Sequence, residues 1–162
     1  MSPDPASGPS SADIDGFLAW NLTRLGHGVE LLLTDAIGRH DLTTRQFGVL
    51  ALLNAYDSLT QSDLARAVLV RVQSIGAIVD SLVARGLIVR RGPAGRGRRS
   101  AFDLTGSGRE LLDRAWRDVT ATVDPASLGL SREQAEQLAP LIAAVLQTVG
   151  QPGRPPASDR EV

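Results

Sequence analysis

Between Thr60 and Leu104 two helical patterns and two strand patterns follow one another with almost no chain to spare. No other feature of the sequence limits the fold as much. Thr60, with Asp63 three residues on, has the form of a capping box opening a short helix that buries Leu64, Ala65 and Val68. A turn lies between Ala67 and Arg71. Ile75, Ile78, Val79, Leu82 and Val83 then recur at helical spacing to about Ala84, leaving Gln73, Gly76, Ala77, Asp80 and Ser81 outward. Gly86 stands where a glycine commonly ends a helix. Leu87 to Arg91 and Ser100 to Leu104 read as short strands, and Gly92-Pro93-Ala94-Gly95-Arg96-Gly97-Arg98-Arg99 as the hairpin tip between them. Two helices across a tight turn, followed by a two-stranded hairpin, make a helix-turn-helix with a wing.

The flanks extend this unit into one mainly α (α+β) domain. Ile14, Phe17, Leu18, Leu22, Leu25, Val29, Leu32, Leu33 and Ala36 predict a single helix from Ala12 to about Gly38. That stripe is wide for a surface helix, so a subunit contact is expected there. Thr43 with Gln46 forms a second capping box, ahead of Phe47, Val49, Leu50, Leu52 and Leu53. Thr105 opens a long helix with Gly106 and Gly108 in its first turn. Asp124-Pro125 interrupts it, and Ser131 with Gln134 starts a last helix striped by Leu138, Leu141, Ile142, Val145 and Leu146. Residues 1–11 and 150–162, rich in Pro, Ser and Gly, are expected to be disordered arms around a single domain at 12–149. Aromatic residues are 4% of the chain, so the core is expected to come from Leu, Val, Ile and Ala.

Charge separates one part of the chain from the rest. From Thr60 to Arg99 there are eight arginines against Asp63 and Asp80, or +6; the remaining nine arginines and sixteen acids give −7. A basic block in an acidic chain has the form of a footprint for a polyanion, although a solvated basic surface would carry the same charge. The second helix of a helix-turn-helix enters the major groove of duplex DNA. On this reading Arg71 adds charge at the start of that helix. Gln73 suits adenine, Val72 or Ala77 a thymine methyl, and Ser74 a phosphate. Arg90, Arg96, Arg98 and Arg99 would serve the backbone and, at the tip, a minor groove.

These stretches resemble the MarR family of bacterial regulators. The resemblance is carried by "LTTRQFGVLALL" at 42–53, "LTQSDLARAVLVRVQSIGAIVDSLVARGLIVRR" at 59–91 and "GRGRRSAFDLTGSGRELL" at 95–112. It implies a winged helix-turn-helix lobe at 42–104 and a homodimer built from 12–38 and 105–149. It also implies a palindromic double-stranded DNA operator, and in many members repression relieved by a small aromatic or anionic effector. The family's wing arginine falls on Arg98. Arg96 stands where an aspartate is usual, Ala77 where an arginine is frequent on the groove helix, and Arg71 where a capping Ser or Asp is usual.

Trp20 and His27 are seven residues apart and share a helix face. With Arg24, and with Tyr56 or Trp116 nearby, they are candidates for an effector pocket; each also has an ordinary reading as a packing or solvent-facing residue. No cysteine is present, which removes disulfides and thiolate metal sites, and His40 and Asp41 alone make no metal site. Ser107 lacks the His and Asp partners of a catalytic triad, so neither an enzyme nor a cofactor is expected. No membrane span or signal peptide is read, and the expected location is cytoplasmic. The rival readings are a winged-helix protein-interaction module without DNA binding, and a repressor without an effector.

Overall fold

The structure, a computed structural model, describes residues 8–56, 59–91 and 101–149. Its elements in chain order are α1 (Ser11–Gly16), α2 (Leu18–Gly38), α3 (Thr44–Ala55), α4 (Gln61–Ala67), α5 (Val72–Ala84), β1 (Ile88–Arg91), β2 (Ala101–Leu104), α6 (Gly106–Thr122) and α7 (Arg132–Val149). A 3₁₀ turn at Ala126–Leu128 lies between α6 and α7.

The helix starts follow from their caps. Thr43 and Thr60 each accept a hydrogen bond from the amide three residues on, while the Gln46 and Asp63 side-chain oxygens accept one from the cap amide. Ser131 and Gln134 do the same before α7. Each pair satisfies two amides that the first turn leaves without a helical partner. The end of α5 is a Schellman motif around Gly86 at φ +68: Leu87 N donates to Leu82 O, and Gly86 N to Val83 O. Leu82 and Leu87, brought together by it, are both buried.

The first helix departs from expectation. The chain bends at Phe17, whose φ of −77° and ψ of 94° are extended, so one predicted helix becomes α1 and α2. Apolar periodicity runs across the bend without registering it. Asn21 Nδ2 donates to Asp15 O across the break.

The core lies under the lobe, where α3, α5, α6 and the hairpin meet. Ile37, Val49, Leu50, Leu64, Ile75, Val79, Leu82, Ile88 and Phe102 are its largest fully buried side chains. Phe102 and Phe47 correct the expectation of a purely aliphatic core. On α5 the predicted inward face holds at Ile75, Val79 and Leu82, whereas Val83 lies exposed on the flank.

The two outer helices are different. Among the described residues α7 buries none, and α2 buries only Ala36 and Ile37 near its end. Leu18, Leu25, Leu31 and Leu32 on α2, and Leu141, Ile142, Val145 and Leu146 on α7, are all exposed. Leaving that much aliphatic surface in water is unfavourable by about 25 cal/mol for each Å². Contiguous patches of this kind mark contact surfaces.

Candidate nucleic-acid interface

Helices α4 and α5 meet at 106°, within the range of a DNA-binding helix-turn-helix. Their turn closes like the end of α5: Val70 N donates to Ala65 O and Leu69 N to Arg66 O. Here Leu69, at φ +54, occupies the left-handed position that glycine takes at residue 86. A leucine held there is strained by about 1–2 kcal/mol. Its side chain remains exposed, next to Val70 and Arg71.

The buried line of α5 turns its opposite side outward. Arg71, Val72, Gln73 and Ser74 are exposed in one run at the start of the helix, and Ala77 is exposed one turn further on. Arg71 is the N-cap residue, with extended backbone and no side-chain cap hydrogen bond. Among the described residues it makes no ion pair. The first-turn amides of α5 therefore keep their partial positive charge beside a guanidinium.

The hairpin stands against this helix. β1 and β2 are antiparallel, with Ile88 opposite Leu104 and Arg90 opposite Phe102. The segment before α4 lies against β2 through an isolated bridge: Thr60 pairs with Ala101, and Phe102 N donates to Leu59 O. The Arg90 guanidinium lies 5.2 Å from the centre of the Phe102 ring and 3.5 Å from the Asp80 carboxylate on α5. Arg90 thus ties the wing base to the groove helix while remaining exposed. Such cation–ring contacts contribute about 0.5–1 kcal/mol at exposed sites. Thr105 secures the other end of the hairpin, where its hydroxyl accepts from Gly108 N and lies 2.8 Å from Gly86 O and 3.0 Å from Leu87 O.

The structure redistributes the charge of the basic block. Arg66 pairs with Asp63, Arg90 with Asp80 and Arg91 with Asp103. Arg85 instead donates to Asp41 O at the α2–α3 junction. The Asp63 carboxyl is held below its ordinary range, first by the Thr60 hydroxyl and then by the Thr60 amide. Asp103 lies outside the block as counted from the sequence, and its pairing with Arg91 was not legible there. The tip residues Arg96, Arg98 and Arg99 lie outside the described residues.

The candidate effector residues do not come together as a site within the described protomer. Trp116 on α6 stacks on Phe47, with ring centres 5.9 Å apart, and is still 52% exposed. Trp20 and Tyr56 are 46% and 61% exposed, too open to wall a pocket within one protomer. Arg24 and His27 are exposed on α2. Among the described residues no hydrogen bond or ion pair joins the side chains of these five. A groove of about 510 Å³ opens elsewhere, between the α4–α5 turn and Val149 at the end of α7. His40 pairs with Asp118 of α6 at 2.8 Å, a contact that pins the end of α2 to α6. No group of three metal-ligating side chains is found among the described residues, and no single helix there is long and apolar enough to cross a membrane.

The sequence profile of the MarR family matches residues 40–100. An HTH-type transcriptional regulator of Bacillus cereus, itself uncharacterized, is 35% identical over 101 residues, which are 62% of this chain and 67% of that protein. In fold the chain is similar to CouR from Rhodococcus jostii RHA1 bound to p-coumaroyl-CoA. The TM-score is 0.72 at 24% identity, covering 90% of this chain and 99% of that one. A structure of the transcriptional repressor CouR bound to a 23-mer DNA duplex gives a TM-score of 0.68 at 27% identity, covering 90% and 100%.

Proposed function

The chain belongs to the MarR family of DNA-binding transcriptional regulators, and from that premise we propose that it is a homodimeric repressor of a palindromic operator, released by a small aromatic or anionic ligand. It is a regulator of transcription and not an enzyme. The observation that carries the operator reading is the open run Arg71–Val72–Gln73–Ser74 with Ala77, presented beside the wing base by a helix whose other side is fully buried. Gln73 reads a base edge and Arg71 and Ser74 hold phosphates. Arg90 and the tip arginines Arg96, Arg98 and Arg99 extend the contact along the backbone. The DNA-bound repressor of similar fold supports this use of the lobe.

Dimerisation rests on the uncovered aliphatic faces of α2 and α7, which a second copy would bury. Two groove helices related by a twofold axis then require half-sites about one helical turn apart. The effector reading rests on neighbours of similar fold, one bound to p-coumaroyl-CoA and another to 4-hydroxyphenylacetate. In this chain the ligand would use Trp20, Arg24, His27, Tyr56 and Trp116, with a partner subunit closing the site that one protomer leaves open. The division that goes with this reading is dimerisation helices at 12–38 and 105–149 and a DNA lobe at 42–104; the expected arm at 1–11 is too long, since Ser10 caps α1 and Ser11 opens it.

Selection from a random duplex library, followed by a salt titration on the selected sequence, tests the operator reading. The expected result is a palindromic consensus and an affinity that falls steeply as salt rises, through counterion release. A protein-interaction module would enrich no sequence. Sedimentation at operator-binding concentration should give a dimer. Titration of hydroxylated aromatic acids into the complex should release DNA; a complex that survives all of them leaves a repressor without an effector.

A further inference from the structure

The polar ties on the groove helix gather at one end. Ser81, on the last turn of α5, accepts from Gln46 Nε2 of α3 at 3.1 Å. Arg85, the C-cap residue, reaches to the corner between α2 and α3, where its Nη1 donates to the Asp41 carbonyl oxygen at 2.6 Å. Gly86 is held from the α6 side, where the Thr105 hydroxyl donates to its carbonyl oxygen at 2.8 Å. The first turn of α5, from Arg71 to Ser74, is exposed.

The corner that Arg85 grips is itself fixed. Asp41 has φ +53, a left-handed conformation uncommon outside glycine that persists where the surroundings determine it. Leu42 beside it is buried, and His40 on its other side pairs with Asp118 of α6 at 2.8 Å. Ala36 and Ile37, near the end of α2, are fully buried. The Arg85 bond thus joins the groove helix to the place where α2 and α6, two of the helices assigned to the subunit contact, are fastened to each other. Asp80 on α5 pairs with Arg90, so the wing base is carried with the helix.

The consequence is that of a lever. Helix α5 has 13 residues, about 20 Å of rigid rod. Tilting it by about 5° around its Arg85 end moves the first turn by about 1.7 Å, or about 3.4 Å summed over two protomers, which is the rise of one base pair. A small loss of angular restraint at the pivot therefore changes the register between half-sites. We infer that the bond from Arg85 to the Asp41 carbonyl is a positioning contact that fixes the number of base pairs between the two half-sites. Arg85 touches no base in this role; it acts through the angle of α5. This inference rests on the homodimer and operator reading.

The test uses the full chain and duplexes carrying the half-site that the wild type selects, with the central spacer lengthened or shortened by one or two base pairs. The wild type should prefer one spacing and lose roughly tenfold or more in affinity for each base pair of change. Arg85→Ala should bind all these spacings within about threefold of one another, with the wild-type half-site consensus intact. Arg85→Lys, which keeps a charged donor of similar reach, should keep the preference. On the preferred duplex the slope of log K against log salt should be the same for Arg85→Ala and the wild type, because this arginine neutralises no phosphate. Thermal melting without DNA is measured alongside; Arg85 is exposed, and both variants should melt as the wild type does. A wild type that selects no palindrome removes the operator reading, and this inference with it. Given a palindrome, any of four results overturns this inference alone. The wild type is indifferent to spacing, Arg85→Ala keeps the wild-type preference, Arg85→Lys loses it as fully as Arg85→Ala, or Arg85→Ala lowers the salt slope and so marks a phosphate contact.

Discussion

Gly108 is the third residue of α6, and a side chain there would run into the backbone of Leu87. A Cβ at 108 would overlap the carbonyl oxygen of Leu87, and would lie 2.9 Å from Leu104 Cδ1 and 3.0 Å from the Leu87 carbonyl carbon. The leucine tip can rotate away, but the Leu87 carbonyl cannot, because Thr105 N donates to it and the Thr105 hydroxyl lies against it. Gly108→Ala therefore requires a backbone shift on the order of 1 Å. Overpacking of this kind costs about 1–3 kcal/mol, and a strained hydrogen bond adds about 0.5–1.5 kcal/mol. Against this, alanine for glycine in a helix returns at most about 1 kcal/mol. The net expectation is a loss of roughly 1–3 kcal/mol. Gly106, two residues earlier in the same turn, is the internal control: a Cβ there meets nothing within 4 Å. Gly106→Ala should be neutral or stabilising by about 0.5–1 kcal/mol. Denaturant unfolding of both variants at one fixed protein concentration makes the comparison, since dimerisation would make stability concentration-dependent. Equal stability of the two variants, or a Gly108→Ala variant as stable as wild type, would refute the steric argument.

Two more expectations follow from the helix starts. Arg71→Asn places a good capping residue at an extended N-cap that has no side-chain cap, so stability should rise by about 1 kcal/mol while operator affinity falls and the salt slope loses about 1.8 for the dimer; movement of stability and binding in the same direction would contradict it. Thr60→Ala removes the hydroxyl half of the α4 box, leaving the backbone amide that donates to Asp63, and should cost about 0.5–2 kcal/mol near neutral pH. Because Thr60 depresses the Asp63 carboxyl in the folded state, the charged part of that stabilisation is present above the unfolded value of about 3.9 and is lost as pH falls through the lower folded value. The gap between wild type and Thr60→Ala should therefore narrow in acid, as read by melting at pH 7 and at about pH 3; a gap that widens would be inconsistent.

What could be read in advance was local. The boxes at Thr43, Thr60 and Ser131, the stop at Gly86 and the start at Thr105 each involve residues within a few positions, so the linear order contains the whole interaction. The alternation of buried and exposed positions on α5 is equally local, and it was enough to mark Gln73, Ala77, Asp80 and Ser81 as outward, although Gly76 turns out half-buried. The bend at Phe17 escaped this reading because apolar spacing continues through it, and the contact across it is a backbone carbonyl meeting Asn21.

Tertiary packing alone decided the rest. Asp80 and Arg90 are ten residues apart, Leu87 and Gly108 twenty-one, Asp41 and Arg85 forty-four, and His40 and Asp118 seventy-eight. No period or motif specifies which of many such pairs will meet. That choice is made when the core around Phe102 and Ile75 closes and leaves each chain segment a single place to lie. The sequence alone therefore determined where helices begin and which sides they turn outward. Folding determined which arginines are spent on neighbouring carboxylates, why residue 108 has no side chain, and which carbonyl holds the end of the groove helix.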